Sequence, residues 1–238
     1  MTLKTALLIG VLGGVNLSAG QINGTVTVRR KLTRTRITSV AYQPRGPVTP
    51  QDITDPVPSS ETRRMVVYLD GHNLPAPAET VNETMRQKNR QFTPEIVVLP
   101  VGSTLTLPND DPIFHNVFSL SRASLFDLGY YPKGQSRTLI MSKAGIVQLY
   151  CHMHKEMSAA VIVTPSQWYT RVADNGEFQF SDVPAGTYDL VVWHKSAGFF
   201  RRKIKVPESG GVGLTIDVPT AALAPPTSTT ASQTDVTK

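Results

Sequence analysis

The chain's single cysteine sits between two β-rich runs, and that placement constrains the fold more than any other feature of the sequence. Gly145 to Cys151 reads G-I-V-Q-L-Y-C. In a strand, Val147, Leu149 and Cys151 would share one face and Ile146, Gln148 and Tyr150 the other. After a short loop, Ala159 to Val163 reads as a returning strand. The loop holds His152, Met153, His154 and Met157, so a strand pair can present Cys151, His154 and Met157 from one rim. Thiolate and thioether ligands beside imidazole select copper, iron or zinc over calcium and magnesium. A lone cysteine in an exported chain has no internal disulfide partner, and ligation gives it a reason to be there.

A further donor has to come from elsewhere, and His115 is the candidate. It heads an apolar run within Asn109 to Phe118, N-D-D-P-I-F-H-N-V-F. Two histidines, one thiolate and a weak axial methionine are the ligand set of a blue-copper electron-transfer site. Cys151-x-x-His154-x-x-Met157 behind a distant His115-Asn116 resembles the cupredoxins, with an amicyanin- or plastocyanin-like ligand loop. The resemblance runs from Gln91 to Pro165 and takes in Gln91-Phe-Thr-Pro94, Val101-Gly102, Pro108-Asn109-Asp110 and Ala144-Gly145. It implies a Greek-key β-sandwich and one type 1 copper, with His115, Cys151 and His154 as equatorial ligands and Met157 axial. It also implies that Asn116 holds the two ligand loops together and turns its backbone N–H to the Cys151 sulfur. Lys155 stands where loops of that family often carry proline, which implies a less rigid loop and bears on the reduction potential.

Residues 1–20 have one basic residue, Lys4, then an apolar stretch from Ala6 to Val15 and the small residues Ser18, Ala19 and Gly20. This is the pattern of a secretory signal peptide cleaved after Ala19 or Gly20, and the stretch is too short to span a bilayer. No cysteine follows for a lipid anchor, so the reading is a periplasmic or secreted protein without a membrane span. The formal charge of +6 is gathered at Arg29-Arg-Lys31 with Arg34 and Arg36, at Arg63-Arg64, and at Arg201-Arg-Lys-Ile-Lys205. Export argues against nucleic acid as the partner and favours an acidic redox protein or an anionic surface. The alternative is that these are ordinary solvated strand faces.

Outside the cysteine loop the patterning is also β. Gln21 to Gly71 reads as two strands, Ile22 to Val28 and Met65 to Leu69, around an irregular proline-rich stretch. Asp174 to Val192 reads as turn, strand, turn, strand, followed by strands at Phe199 to Val206 and Gly213 to Val218. Asp174-Asn-Gly176 supplies positive-φ turn chemistry. With its D-x-G-x-F and P-x-G-x-Y turns, this stretch resembles the carboxypeptidase regulatory-like (transthyretin-like) β-sandwich, a likeness of fold that says little about function. About four short strands are few for an independent sandwich. The expected organisation is therefore an all-β chain with a cupredoxin over residues 76–166 inserted into one sandwich built from 21–75 and 167–219. The tail 220–238 is rich in Ala, Pro, Ser and Thr and reads as disordered.

His72 is read as a surface turn residue, His194 as a strand-end packing residue and His152 as pointing away from the metal, while Met141 and Met153 are read as core. Five histidines and one cysteine are too few for a trinuclear copper cluster or a dinuclear copper A centre. There is no H-E-x-x-H, no nucleophile elbow and no phosphate-binding glycine loop, so the chain does not read as an enzyme. A zinc hydrolase built on one Cys and two His would have only Glu156 as a nearby base. Three readings stay open: an electron carrier, a copper-binding or delivery protein suggested by the extra His152 and Met153, and a copper-free interaction module.

Overall fold

The computed structural model describes residues 20–28 and 59–218, so the basic cluster at 29–36, the proline-rich stretch that follows, the tail from 220 and all of the leader but Gly20 lie outside it. Gly20, placed in the leader by the sequence, is the buried first residue of β1 (Gly20–Val28), opposite Val183. One helical turn, α1 (Ser59–Thr62), leads into β2 (Met65–Asp70). Ten strands follow: β3 (Asn82–Thr84), β4 (Arg86–Lys88), β5 (Gln91–Thr93), β6 (Ile96–Pro100), β7 (Thr104–Pro108), β8 (His115–Ser121), β9 (Ser124–Tyr131), β10 (Ser136–Ile140), β11 (Gly145–Tyr150) and β12 (Ser158–Thr164). After them come β13 (Tyr169–Arg171), β14 (Glu177–Val183), β15 (Gly186–His194), β16 (Gly198–Val206) and β17 (Gly211–Val218). The all-β class is as the patterning predicts.

The strands form two sandwiches. In the first, a three-stranded sheet β14-β1-β17 faces a four-stranded sheet β13-β2-β15-β16. Ile22, Val26, Val67, Leu69, Phe178 and Leu190 pack between them. The ladder partners of β2 are β13 and β15, which follow the cysteine loop in the chain although β2 precedes it. Two glycines are required here. Gly176 closes the predicted turn at φ +88°, and a Cβ on Gly24 would lie 2.2 Å from the Phe178 ring.

In the second sandwich, a five-stranded sheet β6-β12-β11-β8-β9 faces β10-β7-β3 and the β4-β5 hairpin. Leu99, Leu105, Leu107, Val117, Val147 and Leu149 fill the space between, and Cys151, Met157 and Met141 belong to the same cluster. Met153, read as core, is instead 53% exposed, because the loop turns outward between its two ends.

A third apolar layer joins the sandwiches. Val66, Tyr68, Val191 and Trp193 on the outer face of the four-stranded sheet meet Ile96, Ala160 and Ile162 on the outer face of the five-stranded one. This is why β2, β12 and the end of β15 read M-V-V-Y-L, A-A-V-I-V and L-V-V-W instead of alternating. Both faces of those strands are buried. Val191 shares the face of Thr187 and Asp189 in strand alternation and is fully buried there. His194 is a buried strand-end residue as read, its Nε2 3.0 Å from Glu61 Oε2 of α1, and His72 is exposed.

The charged runs are partly neutralised. Arg63 pairs with Asp174, Arg201 with Asp70 and Lys203 with Asp189, all on exposed surfaces where such pairs add little stability. Among the described residues no helix is long and apolar enough to cross a membrane.

Ile162→Ala should cost about 2–5 kcal/mol, because the cavity opens between two sheets that β-ladders hold in place. The expected readout is a lower denaturation midpoint at an unchanged slope; an unchanged midpoint would mean that the outer faces do not pack.

Candidate metal site

The site lies at one end of the second sandwich, where two ladders bring distant parts of the chain together. β11 and β12 pair up to Tyr150↔Ser158, which makes residues 151–157 the loop of a hairpin. β8 joins β11 through Phe118↔Tyr150, so His115 at the head of β8 comes beside the start of that loop. The inward alternation of Val147 and Leu149 carries over to Cys151, which is 4% exposed.

Cys151 Sγ lies 3.7 Å from His115 Nδ1 and 3.7 Å from His154 Nδ1. The three donor atoms lie within 4.8 Å of one another. A metal bonded at about 2.3 Å to sulfur and about 2.0–2.1 Å to nitrogen, with an angle near about 120° between them, separates S and N by about this distance. The two sulfur–nitrogen separations therefore fit a single ion shared by Cys151 and each histidine. Met157 is buried in the same cluster as Cys151, and its N–H donates to His154 O at 2.9 Å, closing the loop. His152 faces elsewhere: its ring stacks on Phe118 at 4.0 Å between centroids, and its Nε2 lies 3.4 Å from Asp127 Oδ2.

What holds the donors is as informative as the donors themselves. His115 is fully buried, and its Nε2 lies 2.8 Å from Asp111 Oδ2. With Nε2–H donating to that carboxylate, Nδ1 is left with its lone pair toward Cys151, the tautomer a ligating histidine needs. Asp111 also accepts the N–H groups of Asn89 at 2.6 Å and Arg90 at 2.8 Å. Those two residues form the β4-β5 turn at φ 55° and 56°, a conformation uncommon for arginine. One carboxylate thus ties a tight hairpin to the buried histidine. Burial opposes its charge, but the hydrogen bonds from Arg90, His115 and Asn89 outweigh that and hold Asp111 below the usual carboxylate range. Asp111 was not singled out in the sequence, although its place four residues before His115 was the available signal.

Asn116 bridges the two loops. Its Oδ1 accepts the N–H of His152 at 3.2 Å and its Nδ2 donates to Asp127 at 2.5 Å. Tyr131, opposite His115 in the β8-β9 ladder, donates to Leu107 O at 3.0 Å and accepts from Gln87. Burial above all pushes its pKa up to about 12, so it stays neutral. His154 is the one partly exposed donor of the three. Burial first, then the nearby His115 and Arg90, lower its pKa, which keeps its nitrogen free for a metal at neutral pH.

No family model matches the chain, and no curated protein does. Among solved structures the chain is similar to a purple cupredoxin from Nitrosopumilus maritimus, at 22% identity over 34% of this chain and 99% of that one, with a TM-score of 0.32. It is similar to a copper-containing nitrite reductase from Thermus scotoductus, at 18% identity, 41% of this chain, 25% of that one and a TM-score of 0.33. A mutant amicyanin in its Cu(I) form gives 19% identity, 41% of this chain, 98% of that one and a TM-score of 0.33.

Removing the shared carboxylate tests the buried frame apart from any metal. Asp111→Ala should destabilise the metal-free protein by about 1–3 kcal/mol for each donor left buried and unpaired. A carboxyl depressed in the folded state stabilises fully above the ordinary Asp value of about 3.9 and loses that contribution as pH falls through its lower folded value. Acid unfolding curves should therefore show wild type and variant converging at low pH; parallel curves would mean that the carboxylate is not held as described.

Proposed function

We propose that this chain is an exported type 1 copper protein that carries single electrons, its one copper held by His115, Cys151 and His154 with Met157 as the weak axial donor. The observation that carries the reading is a buried thiol with an imidazole Nδ1 at 3.7 Å on two sides. A buried cysteine that merely fills core space accounts for the sulfur but not for two convergent imidazoles. Hydrolytic zinc chemistry needs a free base beside an open position. Here Asp111 is committed to three hydrogen bonds, and Glu156 is exposed on the loop.

Bound copper would supply a Cu(II)/Cu(I) couple at this point. The protein's part is to hold the donors still and keep water out. Asp111 orients His115, the β11-β12 ladder places Cys151, and Asn116 fastens one loop to the other. His154 gives the site its contact with solvent and is where an electron enters and leaves. Phe114 and Met153, each 53% exposed and each next to a ligand in sequence, offer an apolar rim for a docked redox partner. With Arg90 near His154 and a formal charge of +6, that partner is an acidic protein.

The organisation belongs to the same proposal. A cupredoxin unit over residues 76–166 interrupts a carboxypeptidase regulatory-like sandwich made of 21–75 and 167–219. What supports it is that β1 and β2 pair with strands after residue 168 and not with those before it. Export rests on the leader-like first 20 residues.

Copper-loaded protein should be intensely blue, bleach reversibly on reduction, and lose the colour in Cys151→Ser, where no copper–thiolate bond can form. His154→Ala should disrupt the optical and EPR spectrum while His152→Ala leaves it nearly intact. A colourless protein that takes only Cu(I) would favour delivery, for which the exposed Met153 speaks; a protein that takes no copper would leave an interaction module.

A further inference from the structure

Lys195 belongs to the first sandwich, yet its side chain ends at the ligand loop of the second. It stands in the turn after β15, and its N–H donates to Arg64 O at 3.1 Å, just before β2. Its side chain is only 14% exposed, low for a residue that is rarely buried unless paired. The ammonium meets the Glu95 carboxylate and donates to Ser158 O at 3.3 Å. Ser158 is the residue after Met157 and the first of β12. Arg64 also approaches Glu95, at 3.8 Å, but has no bond to the loop.

The other constraints on the loop come from within the second sandwich, including the β11-β12 ladder that pairs Ser158 with Tyr150. Cys151 is set by β11, the N–H of His152 by Asn116, and the N–H of Met157 by His154 O. At the exit, a cleft of about 320 Å³ lies alongside, lined by Arg64, Glu95, Glu156 and Met157 among others. Met157 itself is buried, and this cleft runs along the backbone where the chain leaves it. Beside this space, Lys195 is the side chain that reaches from the first sandwich to the backbone immediately after the methionine.

We propose that Lys195 is a positioning residue for Met157, through which the first sandwich sets how the thioether meets the metal. This rests on the type 1 copper reading. The bland alternative is a tether between sandwiches that contributes stability alone. The two differ in what they move. The strength of an axial donor shows in the optical band pattern and EPR shape of a type 1 site and in its potential, whereas a tether alters only unfolding.

The test is the optical and EPR spectrum of copper-loaded, full-length Lys195→Met, with Lys195→Arg and Arg64→Met beside it and an unfolding curve for each. Lys195→Met should change the band pattern and the EPR shape and weaken copper retention on the order of tenfold, the usual scale for residues that orient ligands. Lys195→Arg should restore the wild-type spectrum, and Arg64→Met, which loses a similar charge beside Glu95, should leave it unchanged. A Lys195→Met spectrum that superimposes on wild type overturns the positioning role, and so does an Arg64→Met spectrum altered in the same way. If Lys195→Met does not fold, Lys195→Gln is read by the same criterion. A wild type that never turns blue overturns the copper reading and this inference with it; a blue wild type with indistinguishable Lys195 variants overturns the inference alone.

Discussion

Burial on both faces of a few strands holds the two sandwiches in one stack. β2, β12 and β15 have no polar face along much of their length, since one face fills a sandwich core and the other meets the opposite sandwich. Each fully buried Val, Leu or Ile contributes about 1.5–3 kcal/mol, so the middle layer of Val66, Val191, Ile96 and Ile162 is comparable to a small core of its own. The polar contacts at its edge follow from that docking. Arg171 donates to Ile96 O at 2.9 Å, and Lys195 reaches Ser158 O, only because the sheets already face each other. The donor cluster sits at the end of the same five-stranded sheet, with its loop exit beside the seam.

Much of this was legible in the sequence for physical reasons that can be named. The alternation leading to Cys151 predicted its inward direction, and the turn residues at 174–176 predicted the positive φ found at Gly176. His115 was reached as the histidine that heads another apolar run and Asn116 through resemblance, because no periodicity links β8 to a loop thirty-odd residues on. What stayed hidden is what depends on the third dimension. Apolar runs without alternation do not reveal which sheet will cover the second face, so the burial of Val191 and Trp193 cannot be read along the chain. Met153 was read as core because methionine packs adaptably, and it is exposed because the hairpin loop turns outward.

The residues that orient the donors were the least visible. Asp111 serves a backbone turn and a histidine at once, and the one mark this leaves is an acidic residue four positions before His115. Lys195 lies nearly forty residues beyond the loop it touches, inside a strand-turn-strand stretch that reads as ordinary surface. Ligand types follow from chemistry and can be read along the chain, whereas the groups that hold them depend on how sheets dock.

The account depends on three donor atoms converging on one copper ion, and X-ray absorption at the copper edge of loaded protein tests that directly. It predicts one short copper–sulfur distance and two copper–nitrogen distances with the outer-shell pattern of imidazole. A first shell of nitrogen and oxygen alone, with no short sulfur, would contradict it.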